Sequence, residues 1–342
     1  MASSIEWTDG TWNPIVGCTR ISHGCDHCYA VTMATRIAGM KKSPRPHYKG
    51  VVERGDWTGA VNEAPAHIFN APLHAQKAKV WFVNSMADLF HEAVDDDTIV
   101  RVFDVMNRSP KHVFQVLTKR PSRMVKKTDE LGLTWTDNIW AGTSIESDKF
   151  AVPRSREIMK VPALIRFVSA EPLLSALPSL PIDELDWVIA GGESGRSNTV
   201  RPCDPDWLRD IRDRCRAVGV PFFFKQWGSH DAKGAKVGKE LAGHLLDGEE
   251  IFEMPAPAYA QLPSPDPKWV PVAQRKRAFQ HSAMPRPSKR ARASTPLITG
   301  GVPVHDKGEA VMVQLVSSEV VETASNPQSP EKLSSAGEVE RL

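Results

Sequence analysis

The chain has 342 residues, of which 41% are hydrophobic and 25% are charged, and its formal net charge is +2. These values are typical of an ordinary soluble protein with one or two domains. No apolar stretch reaches the roughly 18 to 20 residues that a membrane-spanning helix needs, and the N-terminus lacks the basic and apolar segments of a secretory signal. We therefore expect a cytoplasmic protein with no membrane partner.

The sequence changes character near residue 255. Apolar runs recur regularly before this point, whereas the remainder, counted from Pro255, contains 12 of the 27 prolines and few aromatic residues. Such a composition cannot build a large core, so we predict a folded domain over residues 1–255 and a mostly disordered tail over residues 256–342. The tail is basic at 268–292, where eight Lys or Arg occur without an acid, and it becomes acidic toward its end.

Strand-like apolar runs alternate with helical patterns through the first 255 residues. The predicted strands span residues 12–16, 79–83, 112–117, 138–141, 164–168, 187–190 and 220–224. The predicted helices span residues 29–40, 66–78, 98–108, 121–131, 152–159 and 205–218. Near-continuous apolar strands separated by helices indicate a parallel sheet. Six or seven such units in about 230 residues favour an α/β fold in which parallel strands form a full or partial (β/α) barrel.

Polar residues follow nearly every predicted strand. In parallel barrels the residues that do chemistry lie at the C-terminal ends of the strands, so seven such ends would line one mouth of the barrel. We predict that the cofactor-binding residues are Asn84, Asp88, Thr118, Ser144, Glu171, Gly191, Gly192 and Glu193. The candidate catalytic residues are Glu171, Lys119 and Lys225, whose charged groups hold ligands or transfer protons.

Several of these groups have an equally simple structural explanation. Asp88 and Glu171 are suited to ribose hydroxyls or acid–base chemistry, but also to capping the helix that follows. The cations after the third strand are suited to a carboxylate or phosphate, but also to a solvated helix start. The glycine-rich turn at residues 191–195 is suited to cradling a ligand, but also to simple loop geometry.

Three of the five cysteines, Cys18, Cys25 and Cys28, lie within eleven residues and directly follow the first predicted strand. The odd number and the clustering argue against a secreted disulfide framework. Thiolates select zinc, copper(I) or an iron–sulfur cluster, and three ligands leave one metal position open. A zinc site completed by His23 or His27 fits the same spacing, so the sequence leaves both alternatives open. Of the other two cysteines, we expect Cys215 in the core and make no assignment for Cys203.

Residues 4–14, followed by GCTRISHGCDHCYA at 17–30, resemble an uncharacterised phage three-cysteine-motif family that is commonly described as radical-SAM-like. The resemblance continues at residues 83–90, 117–121, 190–195, 223–228 and 242–248, and it does not include the tail. It implies a 4Fe-4S cluster held by Cys18, Cys25 and Cys28, with S-adenosylmethionine at the open iron. Typical radical-SAM enzymes have a C-x3-C-x2-C motif, whereas six residues separate the first two cysteines here and His27 replaces the usual aromatic residue.

The resemblance assigns no reaction, because the family's substrate is not established. Our preferred hypothesis is an iron–sulfur enzyme that cleaves S-adenosylmethionine reductively, abstracts hydrogen from a substrate, and needs an electron donor. The cations after the third strand and the basic part of the tail favour a nucleotide or nucleic-acid base as that substrate. The alternatives are a zinc-binding nucleic-acid-associated protein and a non-catalytic barrel that acts as an interaction module.

Overall fold

A computed structural model of the protein describes residues 5–40, 45–195 and 198–256. Its main sheet has seven parallel strands, and each strand is hydrogen-bonded to the next one along the chain. The strands are β1 (Gly10–Trp12), β2 (Val80–Val83), β3 (Val113–Thr118), β4 (Ile139–Ser144), β5 (Arg166–Ala170), β6 (Trp187–Ala190) and β7 (Phe222–Phe224). With helices between most successive strands they form an α/β half-barrel, which confirms the predicted fold class.

Five helices of eight or more residues lie between the described strands. They are α1 (Tyr29–Ala38), α2 (Asp96–Asn107), α3 (Pro121–Leu131), α4 (Ala151–Ile158) and α5 (Pro205–Val218). The last begins and ends for the reasons that its sequence indicates, since Asp204 accepts a hydrogen bond from the N–H of Asp206 and Gly219 adopts a φ of 69°. No helix in the described part of the chain is both long and apolar enough to cross a membrane.

Two predicted elements are wrong. The strand expected at residues 12–16 is split, because β1 ends at Trp12 and Ile15–Val16 pairs instead with Asn62–Glu63. Pro14, which has no N–H to donate, lies at the break. The helix expected at residues 66–78 is two single turns, Ala66–Phe69 and Ala71–His74, because Pro72 cannot continue the first turn.

The remaining predicted elements agree with the structure to within three residues at each end. The bounds of β6, α3 and α5 are as predicted. The strand β4 extends three residues beyond its prediction and includes Ser144. The predicted tail at 256–342 lies outside the described residues except for Ala256.

The two faces of the sheet carry different cores. Residues of α2, α3 and α5 pack against one face in two large clusters, so that face is the outer one. The opposite, concave face holds a separate cluster that contains no residue from these helices. Its aromatic members are Trp7, Phe82, Trp140, Phe167, Trp187 and Phe223. This aromatic layer fills the interior of the half-barrel.

The packing of the aromatic layer requires a glycine in β4. A Cβ atom at Gly142 would lie 2.3 Å from the ring of Phe167, so no larger residue fits there. Because side chains alternate along a strand, Ser144 and Ser169, two positions beyond Gly142 and Phe167, also belong to the concave side. Asn84 and Lys225 directly follow the ends of β2 and β7. The polar mouth therefore lies directly beyond the aromatic layer, at the C-terminal ends of the strands.

Candidate functional site

The three clustered cysteines belong to residues 17–28, here called the cysteine loop, which connect the start of the sheet with α1. The loop begins at Gly17, whose φ is 107° and whose missing Cβ would lie 2.1 Å from the carbonyl oxygen of Ala60. Arg20 then folds the loop back on itself, because its Nη1 donates to the carbonyls of Cys25 at 3.1 Å and Asp26 at 2.8 Å. The backbone around the cysteines is thus fixed by its own contacts.

All three cysteines of the loop are free thiols and are half-buried. Burial and the nearby charge of Asp88 raise the pKa of Cys18 to about 12. Burial also raises the pKa of Cys28, although the backbone amides of Val31 and Ala30 at the start of α1 oppose that rise. Cys28 interacts electrostatically with both Cys18 and Cys25, so the three sulfurs lie in one neighbourhood.

No three His, Cys, Asp or Glu side chains of the described residues form a ready-made group around one metal position. The cysteines therefore remain a predicted ligand set. Neither His23 nor His27 is positioned as a fourth ligand for a zinc site. The Nε2 atom of His27 lies 3.0 Å from the carbonyl oxygen of Thr199, and the side chain of His23 is 78% exposed with its Nδ1 atom 3.4 Å from Asp26.

One side of the cysteine loop rests on a buried ion cluster at the ends of β3 and β4. The carboxylate of Glu146, which is 1% exposed, accepts from Arg154 at 2.8 Å and from Lys119 at 3.3 Å. Gly24 of the loop packs so closely on this cluster that a Cβ atom there would lie 3.0 Å from Lys119 Nζ. Burial alone would raise the pKa of Glu146, but the two cations outweigh it and the pKa is lowered.

The other side of the cysteine loop is tied to the end of β6. Glu193, predicted as a cofactor-binding residue, is buried and receives a forked pair of hydrogen bonds from Arg201. The same guanidinium donates to the carbonyl of His23 at 2.8 Å and to the carboxylate of Asp26 at 3.2 Å. The loop therefore spans the mouth from the first strand to the sixth.

Asp88 and Thr118, both predicted to bind the cofactor, contact each other in the structure. Asp88 accepts from Thr118 Oγ1 at 2.7 Å, from the N–H of Lys119 at 3.1 Å and from Arg120 at 3.2 Å. Arg120 also donates to the hydroxyl of Thr19 in the cysteine loop at 2.8 Å. Because both oxygens of Asp88 are engaged, its visible role is to hold the start of α3 against the loop.

Two of the candidate catalytic residues form an ion pair at the mouth. Lys225 Nζ donates to Glu171 Oε1 at 2.5 Å, and both side chains are largely buried. Gln226 Nε2 lies 3.5 Å from the same oxygen. The third candidate, Lys119, is at the ion cluster below the cysteine loop. Ser144 is buried nearby, and its carbonyl accepts from Arg154 at 2.7 Å.

Close backbone packing explains one of the two predicted glycines. A Cβ atom at Gly192 would lie 1.9 Å from the carbonyl oxygen of Trp227, whereas one at Gly191 would lie 3.3 Å from that of Gln226. The backbone N–H of Gly192 donates to Gln226 at 2.9 Å. The chain after β6 is thus packed directly on the chain after β7, and a role of this turn in ligand binding stays a prediction.

Sequence reasoning missed Arg154, Arg201 and Tyr29. Arg201 contacts the cysteine loop, which is distant in sequence, and Arg154 of α4 contacts Glu146 after β4. Nothing in the local sequence of either arginine indicates these contacts. Tyr29 directly follows Cys28, and its hydroxyl donates to the carbonyl of Ser85 at 3.0 Å while its side chain stays 51% exposed. Its position directly after the last cysteine was the one sequence feature that could have marked it as a site residue.

Asn84, which was predicted, is the least satisfied polar residue of the mouth. It is 2% exposed, and within the part of the chain that the structure describes neither its Oδ1 nor its Nδ2 atom has a hydrogen-bond partner. Its backbone φ of 61° lies in the left-handed region, which asparagine tolerates better than most residues.

Comparison with known proteins identifies a family for most of the chain. No curated protein and no solved structure matches it. A family model matches residues 2–255, which include the whole sheet, the cysteine loop and the polar mouth. The chain therefore belongs to the family described as "Protein of unknown function (DUF5131)".

Proposed function

We propose that this protein is an iron–sulfur enzyme of the radical-SAM type, in which Cys18, Cys25 and Cys28 hold a 4Fe-4S cluster. The observation that carries the proposal is the placement of these free thiols. They lie on one loop, and that loop is fixed across the polar mouth of a half-barrel by Gly24 and Arg201.

The donor set fits such a cluster. Iron–sulfur clusters take cysteine thiolates as ligands, and three cysteines leave one iron of a four-iron cluster open to a small molecule. A closed structural zinc site would require a fourth protein ligand, but Nε2 of His27 lies 3.0 Å from the carbonyl oxygen of Thr199 and the side chain of His23 is 78% exposed. These contacts favour the cluster over a structural zinc site.

The neighbouring cations help the cysteines to act as ligands. A thiol must lose its proton to bind metal, and burial opposes that loss. Lys119 lowers the pKa of Cys28 and Arg120 lowers that of Cys18, although the net shift of both thiols is upward. The two cations after β3 thereby offset part of the effect of burial on the two thiols.

A bound cluster would supply the electron that cleaves S-adenosylmethionine into methionine and a 5′-deoxyadenosyl radical. The chain's own residues would bind and orient the reactants and keep water out. The aromatic layer fills the interior below the mouth. Lys225 Nζ donates a hydrogen bond to Glu171 Oε1 at the mouth, and this pair is suited to acid–base work on a bound ligand.

For the substrate we propose a nucleotide or a nucleic-acid base. The basic segment at 268–292, outside the described residues, suits a phosphate backbone. The reaction also requires an electron donor. Free thiols on an accessible loop are in keeping with a reducing compartment such as the cytoplasm.

The activity is tested with anaerobically purified protein, dithionite as reductant and S-adenosylmethionine. We expect methionine and 5′-deoxyadenosine, quantified by chromatography and mass spectrometry, in the wild type and in Cys215→Ala, and neither product in Cys25→Ala. Cys215 is a matched control because it lies in the outer core. Absence of both products from wild-type protein that carries a cluster would contradict the proposed activity.

A further inference from the structure

An exposed aromatic ring lies at the mouth, next to the cysteines. Tyr29 is the first residue of α1, and its side chain is 51% exposed. Its hydroxyl is nevertheless fixed by the hydrogen bond to Ser85, just beyond the end of β2. An exposed ring with a fixed orientation at a polar mouth is a surface on which a flat base can stack.

A second, independent feature adjoins this ring. Asn84 immediately precedes Ser85, is buried, and finds no partner among the described residues for either the donor or the acceptor of its amide. Its positive φ adds a local backbone cost. A buried amide with neither group paired is costly, and it gains most from a ligand that offers one acceptor and one donor side by side.

We propose that Tyr29 and Asn84 form a binding site for an adenine base, in which the tyrosine ring stacks on the base and the asparagine amide pairs with its N6 and N7 atoms. Adenine presents a donor at N6 and an acceptor at N7, which match the two groups of an asparagine amide. Guanine presents two acceptors on the same edge and would leave the amide oxygen of Asn84 unpaired. The site therefore selects adenine over guanine.

This adenine site rests on the proposed function only in that a nucleotide-like ligand binds at the mouth. The adenine belongs either to S-adenosylmethionine or to a nucleotide substrate, and both present the same atoms to Tyr29 and Asn84. Equilibrium binding of the base is separable from the redox chemistry. A failure of the proposed adenine site can therefore be distinguished from a failure of the proposed enzyme activity.

The test is calorimetric titration of the anaerobically purified full chain with adenosine, inosine and 7-deazaadenosine. Inosine lacks the N6 donor and 7-deazaadenosine lacks the N7 acceptor, so each should bind about 5- to 150-fold more weakly than adenosine. The variant Asn84→Asp tolerates the same φ but removes the donor to N7, and it should weaken adenosine binding to a similar extent.

Two variants test the stacking ring. Tyr29→Ala should weaken adenosine binding by about 5- to 150-fold, whereas Tyr29→Phe keeps the ring and should retain most of the affinity. Met33→Ala is the matched control, since Met33 is 46% exposed one turn further along α1 and should leave binding unchanged. Circular dichroism of every variant checks that the fold is retained.

Competition identifies the source of the base. Displacement of adenosine by S-adenosylmethionine assigns the adenine to the cofactor, and simultaneous binding of both assigns it to a substrate. Equal affinity for adenosine, inosine and 7-deazaadenosine would overturn the proposed site. So would adenosine binding that survives both Tyr29→Ala and Asn84→Asp, or no adenosine binding by the wild type at millimolar concentration. Loss of 5′-deoxyadenosine formation with adenosine binding retained would contradict only the proposed activity.

Discussion

The guanidinium of Arg201 makes a forked contact with the buried carboxylate of Glu193, with Nη2–Oε1 at 2.5 Å and Nε–Oε2 at 3.0 Å. From this anchor it also reaches the cysteine loop at His23 and Asp26. A residue that follows β6 therefore fixes a loop that follows β1. This contact gives the loop a defined position across the mouth.

Replacing Arg201 with lysine should weaken both the fold and the cysteine site. Lysine keeps the charge but cannot form the planar fork, so Glu193 would be left buried with fewer partners. We expect a loss of about 2 kcal/mol in the free energy of unfolding, measured with urea, and a lower iron content after anaerobic purification. Arg216→Lys, at an exposed pair with Glu249, is the control and should change neither value. Full iron content in Arg201→Lys would argue against this role.

Gly192→Ala should destabilise the protein strongly, because its Cβ would lie 1.9 Å from the carbonyl oxygen of Trp227. We expect a loss of about 3 kcal/mol or more, since backbone on both sides must move. Gly191→Ala, where the closest atoms are 3.3 Å away, should cost clearly less. Thermal and urea unfolding of the two variants compare these costs, and equal stability would refute the packing explanation for Gly192.

The thiol of Cys18 should ionise only at high pH in metal-free, reduced protein. Burial raises its pKa to about 12 from an ordinary value near 9, so its alkylation rate should still be rising above pH 10. The raised pKa also stabilises the fold below about pH 9, and this contribution is lost as the pH rises toward 12. Iodoacetamide labelling followed by mass spectrometry gives the rate at each pH. A plateau in the labelling rate near pH 9 would disagree with this burial.

Glu146→Gln should destabilise the fold, because Arg154 and Lys119 would lose the charge that they share. We expect a cost of about 3 kcal/mol at pH 7, whereas Glu92→Gln, whose carboxylate is exposed, should cost far less. The pKa of Glu146 is lowered, so its stabilising charge is present above the ordinary glutamate pKa and is lost as the pH falls through the folded pKa. The difference between wild type and Glu146→Gln should therefore shrink in acid, and a difference that grows there would contradict the ion cluster.

Local sequence patterns predicted most of the fold because buried parallel strands are continuous apolar runs and the helices between them have clear ends. The prediction failed at Pro14 and Pro72, where one missing N–H interrupts an otherwise regular pattern. Strand ends also identified Glu171 and Lys225, which the structure brings together. The contacts of Arg201 and Arg154 could not be predicted from local sequence, because they depend on how separate loops pack against each other. The unpaired amide of Asn84 likewise becomes visible only when every neighbouring polar atom has been placed.

The metal and sulfide content of anaerobically purified protein tests the central claim most directly. The proposed cluster predicts about four iron and four sulfide per chain, lost in Cys18→Ala, Cys25→Ala and Cys28→Ala and retained in Cys215→Ala. A colourless protein with one zinc and no sulfide would contradict it.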